Sequence, residues 1–144
     1  MGYRSDVRIV TSKKGYKELM KNIADYYKKN NVPKEYQYDL INHVNINCEN
    51  KYQKYFGWDN IKWYSYPDVN AIEEGLHRLE EKDLSFRFAR LGEDYGDYEE
   101  YYHDSSNEKE PVLEWPYVQR YFDDDEVIVN IRKQNNITKD EVER

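Results

Sequence analysis

Residues 58–94 read WDNIKWYSYPDVNAIEEGLHRLEEKDLSFRFARLGED, and this stretch decides the fold class. Ile61, Lys62, Trp63 and Tyr64 read as a strand. Asp59-Asn60 just before them, and Gly57, mark a turn or a bulge. Pro67 sits where proline is tolerated, in the first turn of a helix. Val69, Ile72, Leu76 and Leu79 recur at helical spacing and predict a buried stripe; Glu73, Glu74, Glu80 and Glu81 form the wet face. From Leu84 the period changes to two. Leu84, Phe86 and Phe88 alternate with Ser85 and Arg87 until Gly92 ends the run. Strand, helix and strand follow one another with no catalytic motif among them.

The same reading extends outward. Val7, Ile9 and Thr11 alternate with Arg8, which predicts a first strand over Tyr3 to Thr11. Ser12 can cap the helix that follows, in which Tyr16, Leu19, Met20, Ile23 and Tyr27 share one side. Lys13, Lys14, Lys17 and Lys21 line the other, and Asn30-Asn31 before Pro33 stops it. Val44, Ile46 and Cys48 alternate with Asn45 and Asn47 and predict a weaker second strand. Beyond Gly92, Tyr95 to Tyr102 and Val118 to Phe122 are strand candidates, and with a last apolar run, Val127 to Ile131, they read as a meander of extended segments. The order β-α-β-β-α-β predicts an α+β fold: two helices on one face of a mostly antiparallel, ferredoxin-like sheet, with C-terminal strand additions. Residues 1–133 are expected to form a single domain, and 134–144 a polar tail that frays.

Composition agrees with one domain. A chain of 144 residues buries roughly two-thirds of its unfolded surface. Only 38% of its residues are apolar and 16 are Tyr, so tyrosine must serve both core and surface. Cys48 is the single cysteine, which excludes an internal disulfide and a Cys-rich zinc site. No signal-peptide pattern and no membrane-length apolar run is present, and a cytoplasmic protein is expected.

Charge is unevenly spread. Residues 1–60 hold 11 Lys+Arg against 7 Asp+Glu, whereas residues 61–144 hold 11 against 22. Acid concentrates at Glu93, Asp94, Asp97, Glu99, Glu100 and Asp104, interleaved with Tyr98 and Tyr101, and again at Asp123 to Glu126. An acidic, Tyr-rich surface suits a basic groove on another protein, carboxylates standing in for phosphates and tyrosines supplying contact area. The plain alternative is a solvated edge strand whose charges discourage aggregation.

Chemistry-bearing motifs are scarce. The glycines are scattered and Lys13-Lys14-Gly15 lacks phosphate-loop spacing, so no cofactor is expected. Cys48 and His43 are five residues apart, which puts them on opposite faces of a strand. His43, His77 and His103 fall on separate elements; His103-Asp104 is the best metal candidate, though no metal site is expected. Asp123 to Glu126 lacks the spacing of a calcium loop. Only the first helix is basic, so direct nucleic-acid binding is not expected. An alternative reading is a nucleotide-binding module, with Arg4, Arg8, Arg87 and Arg90 pairing with phosphate. Exposed sheet edges also make a homodimer an expectation.

Gly2-Tyr3-Arg4-Ser5-Asp6-Val7, then Ile61-Lys62-Trp63-Tyr64, the Pro67 helix and Arg90-Leu91-Gly92-Glu93-Asp94 together resemble a family of small proteins of tailed bacteriophages and prophages. The resemblance covers residues 2–103. It implies a viral accessory protein in a bacterial cytoplasm. Small phage proteins of this kind commonly antagonise host defence, by blocking a defence protein in the manner of an anti-CRISPR or by sequestering its signal nucleotide. The expected function is therefore a non-enzymatic inhibitor that binds a bacterial defence component.

Overall fold

A computed structural model describes residues 2–119 and 121–134. Five strands, β1 (Ser5–Ser12), β2 (Ile46–Glu49), β3 (Gln53–Ile61), β4 (Phe86–Gly92) and β5 (Tyr98–His103), form one sheet in the order β2-β3-β1-β4-β5. Every neighbouring pair is antiparallel. Helix α1 (Lys13–Lys29) follows β1, the short α2 (Asp39–Asn42) precedes β2, α3 (Pro67–Glu81) joins β3 to β4, and α4 (Asp124–Lys133) ends the described chain. The expected α+β class and antiparallel sheet are as observed. No helix among the described residues is long and apolar enough to cross a membrane.

The alternation in β1 dictates two cores. Val7 and Ile9 point to one face and meet Trp58 and Phe56 of β3 in register. On that face α1 and α3 lie against each other, burying Leu19, Ile23, Ile72, Leu76 and Leu79. Each such side chain contributes about 1.5–3 kcal/mol when fully buried. Gly75 allows the two helices to close, since a Cβ there would stand 2.7 Å from Leu19 Cδ1. Asp68 is buried at the head of α3 and accepts from Tyr27 Oη at 2.5 Å and Leu40 N at 2.9 Å, tying α1, α2 and α3 together. Val10 points the other way and packs with Tyr55, Leu113, Val127 and Ile131.

That second core corrects the C-terminal expectation. Val127 to Ile131 is not extended: it lies in α4, which covers the sheet face opposite α1 and α3. Asp123 caps the helix by accepting from Glu126 N, so the acidic run is its N-cap and first turn, where carboxylates complement the helix dipole. Of the expected strand Val118 to Phe122, the described residues are likewise not part of the sheet. They make a single bridge, Val118 to Phe122. Among the described residues the C-terminal addition to the sheet is β5, which starts at Tyr98 rather than Tyr95.

The third strand is displaced as well. It runs Gln53–Ile61, and Lys62 to Tyr66 form the connection to α3. Gly57 lies inside this strand, where a Cβ would come within 2.0 Å of the Val7 carbonyl oxygen. The expected bulge is at Asp59-Asn60: Val7 faces Trp58 and Ser5 faces Ile61, and Asn60 adopts a positive φ of 54°. Of the predicted tail 134–144, residues 135–144 lie outside the described residues.

Candidate interaction surface on the last strand of the sheet

Strand β5 has β4 on one side and, among the described residues, no strand on the other. Its alternation divides its side chains between two surfaces. Glu99, Tyr101 and His103 face α3. Tyr101 packs edge-on against Phe86 with ring centroids 4.9 Å apart, and His103 Nε2 lies 2.8 Å from Asp83. Tyr98, Glu100 and Tyr102 face the other way, toward Trp115, Pro116 and Val118. Trp115 meets Tyr102 at 4.8 Å. The result is an exposed aromatic strip: Tyr98 is 40%, Tyr102 49% and Trp115 42% accessible, with Tyr95 at 91% on the adjoining turn. A cleft of about 680 Å³ opens at its end, lined in part by Leu91, Asp94, Tyr95, Tyr98, Pro116 and Val118.

The acidic candidates divide into two groups. Asp97 receives Arg90 Nη2 at 2.8 Å and Tyr3 Oη at 2.5 Å, and these two donors hold its carboxyl below the usual range. Glu99 takes Arg90 Nε at 3.1 Å, and Asp104 takes Arg87 Nη2 at 2.6 Å. These three carboxylates are engaged in internal ion pairs, Asp97 and Glu99 sharing Arg90. Glu93 and Asp94 sit exposed on the turn without an ion pair among the described residues, and Glu100 accepts only from Tyr98 Oη, at 2.7 Å. Burial and that bond push the Tyr98 hydroxyl above its ordinary value. Tyr101 turns from the strip and donates to Glu80 at 2.7 Å. The continuous acidic ribbon expected over 93–104 therefore shrinks to Glu93, Asp94 and Glu100 beside the aromatic strip.

The four arginines proposed for phosphate are occupied by protein acceptors. All five N–H groups of Arg8 are used: Nε and Nη2 on Asp124 at 3.0 and 3.1 Å, Nη2 on Asp59 at 2.7 Å, and Nη1 on the Val7 and Trp58 carbonyls. Its guanidinium also lies over the Phe122 ring, 4.8 Å from the centroid. Arg87 is buried beneath Trp115, with 4.1 Å from guanidinium carbon to ring centroid, and this contact seats the indole in the strip. Arg90 is held by Asp97, Glu99 and Ser5 on the α3 side of the sheet, and Arg4 donates to the Asn60 carbonyl at 3.2 Å. Arg8 and Arg87 lie on the α4 side, so the four do not converge on one pocket.

The metal candidate separates in the same way. His103 pairs with Asp83, whose carboxyl is lowered to about 2 by Ser106 and then His103, while Asp104 turns to Arg87 on the opposite face. Among the described residues no group of three or more His, Cys, Asp and Glu could hold a metal ion. Cys48 packs at the margin of the second core, and His43 is exposed with Nδ1 2.7 Å from the Asp39 carbonyl.

Sequence reasoning missed one feature on the α3 side of β5. A cleft of about 150 Å³ is lined by Glu73, Leu76, His77, Phe88, Glu99 and Tyr101. The spacing of Glu73 and His77, four apart on α3, was its only sequence signal. No protein-family model, no curated protein and no solved structure matches this chain.

Proposed function

We propose that this is a non-enzymatic binding protein whose working surface is the outer face of β5 and the 93–96 turn. Its partner is a host protein that presents a basic groove. The observation that carries the reading is the strip of Tyr98 and Tyr102, on the strand that ends the sheet, with Trp115 packed against Tyr102, each 40% or more exposed. Exposed aromatics in one patch mark recognition surfaces, because they supply large contact area with few rotatable bonds. Glu93, Asp94 and Glu100 flank the strip and supply charge complementarity to a basic groove. Together with the resemblance to phage accessory proteins, this favours blockade of a bacterial defence component in the host cytoplasm.

The nucleotide reading is weaker, because Arg8, Arg87 and Arg90 are engaged with carboxylates. A homodimer built by pairing β5 with itself would place Glu99 and Glu100 of both copies close together, and neighbouring like charges weaken strand pairing. The test is affinity capture from a host lysate by the wild-type protein and by a Tyr98→Ser/Tyr102→Ser variant, with each captured protein re-tested in purified form. A basic protein that binds the wild type directly and loses the variant is the expected result. Equal binding of every candidate to both forms would refute the reading.

A further inference from the structure

We propose that β5 receives an extended, basic segment of the partner protein as an added strand of the sheet. This mode of engagement rests on the working surface proposed above. To it the added strand brings main-chain hydrogen bonds along the edge, with Tyr98, Glu100 and Tyr102 selecting the side chains.

The register fixes which main-chain groups face outward. In an antiparallel pair, residues that exchange both N–H···O bonds with the neighbouring strand alternate with residues that exchange none. Gly92 N donates to the Asp97 carbonyl at 2.8 Å, which sets the frame, and the register then runs without a shift from Leu91 opposite Tyr98 to Phe86 opposite His103. Glu99, Tyr101 and His103 therefore bond to β4. Glu100 and Tyr102 turn their N–H and C=O groups away from it. So does Tyr98, whose N–H is satisfied within the turn by the Gly96 carbonyl at 3.0 Å. Among the described residues neither Glu100 nor Tyr102 has a main-chain partner on that side. Outward groups at every second residue are what an added strand pairs with.

Edges that must stay unpaired are commonly blunted by lysine, proline or a bulge. β5 has none of these, and its pairing with β4 is unbroken over its 6 residues. The opposite edge differs: β2 has only 4 residues, and its Ile46 and Cys48 pack against the second core beneath α4. What β5 does carry is charge. Glu99 is paired with Arg90, but Glu100 accepts only from Tyr98 Oη. An acidic strand meets repulsion there, a second copy of β5 included, whereas a lysine or arginine directly opposite Glu100 is attracted. Tyr98 and Tyr102 flank Glu100 on the same face, and cross-strand pairing with them favours β-branched or aromatic side chains. The cleft of about 680 Å³ opens at the Tyr98 end of this edge, between Tyr98, Pro116 and Val118, and has room for the next side chain of the segment. The segment that fits places one basic residue between two apolar ones on the outer face.

The test is an NMR titration of the intact protein with acetyl-Thr-Val-Thr-Lys-Thr-Val-Thr-amide, with the same peptide carrying Glu in place of Lys as the control. Saturable shifts along β5 are expected with the Lys peptide, and about tenfold weaker binding with the Glu peptide. The specific readout is water exchange of the amides. At about nine times Kd the Glu100 and Tyr102 amides should exchange about tenfold more slowly, since only the free tenth of the protein still exchanges them. The amides of Glu99, Tyr101 and His103, already bonded to β4, should change little. Glu100→Gln should weaken binding about threefold. Glu100→Pro is tolerated at an edge whose N–H points outward, and the lost donor should weaken binding about fivefold further. Saturable shifts with unchanged exchange at Glu100 and Tyr102 would overturn the added strand and leave the aromatic surface standing. A failed lysate capture beside a positive titration would instead overturn the host-protein reading and leave the strand edge as a binding site. No saturable binding, equal binding of the Glu peptide, or equal binding by Glu100→Gln and Glu100→Pro would also overturn the proposal.

Discussion

Replacing Asp124 by Asn isolates the contact that fastens α4 to the sheet. Arg8 is 2% exposed, and the substitution removes the only carboxylate it holds through two nitrogens. Tyr55 Oη donates to the same carboxylate at 2.5 Å and would have to share with Arg8 the single neutral amide oxygen that Asn retains. Breaking a fully buried ion pair from one side costs about 3–5 kcal/mol, because the remaining charge is left uncompensated. Here the cost is discounted: the Asp124 side chain keeps 26% of its accessibility, and Asp59 still holds Nη2 at 2.7 Å. A loss of about 2–3 kcal/mol follows, which lowers Tm by about 5–10 °C in a chain of this size. Thermal and urea unfolding measure it. The pH dependence supplies an independent check. Burial acts to raise the Asp124 carboxyl, but the bonds from Arg8 and Tyr55 outweigh it and set the folded value below that of the unfolded chain. Its contribution is therefore present above the ordinary aspartate range and is lost as pH falls through the folded value. The gap between wild type and Asp124→Asn should narrow in acid. A deficit under about 0.5 kcal/mol at neutral pH, or one that persists unchanged in acid, would refute the reasoning.

Three further outcomes are expected. Gly57→Ala places a methyl 2.0 Å from the Val7 carbonyl oxygen and should cost at least about 2–3 kcal/mol by prising β1 from β3, measured by urea unfolding. Asp123→Ala removes the α4 cap and should cost about 1 kcal/mol, with faster amide exchange confined to the first turn of that helix. Glu73→Gln should raise Tm at neutral pH: burial and then the Glu99 charge raise the folded pKa, so the wild type gains stability from a neutral Glu73 in acid and loses it as pH rises through that value. The advantage of the variant should disappear in acid.

What the sequence displayed and what it hid follow from burial. β1, α1, α3 and β4 were legible because each carries an apolar stripe at its own period, as with Leu76 and Leu79 in α3 or Phe86 and Phe88 in β4. β3 was not, because Gln53 to Trp58 is buried on both faces, by α1 on one side and α4 on the other, and such a strand loses its alternation. α4 was misread because Val127 to Ile131 is too short to declare a period. The better signal was local: Asp123 followed three residues later by Glu126 opens a helix. The acid-Tyr segment was found by composition, yet its pairing was invisible. Nothing in the order of residues states that Arg90 and Arg87 take up Asp97, Glu99 and Asp104, since those contacts depend on the register of β4 with β5 and on side-chain direction. The Glu73-His77-Tyr101 cleft escaped for the same reason: α3 and β5 meet only in the folded chain.

Neutralising the unpaired carboxylates alone tests the binding surface most directly. Glu93→Gln/Asp94→Asn/Glu100→Gln leaves the internal ion pairs of Arg87 and Arg90 intact, so stability should be unchanged. The measurement is the affinity of the purified partner for wild type and for this variant across a range of salt. The account predicts weaker and slower association by the variant and a flatter salt dependence. Identical affinity and an identical salt slope for the two proteins would contradict it.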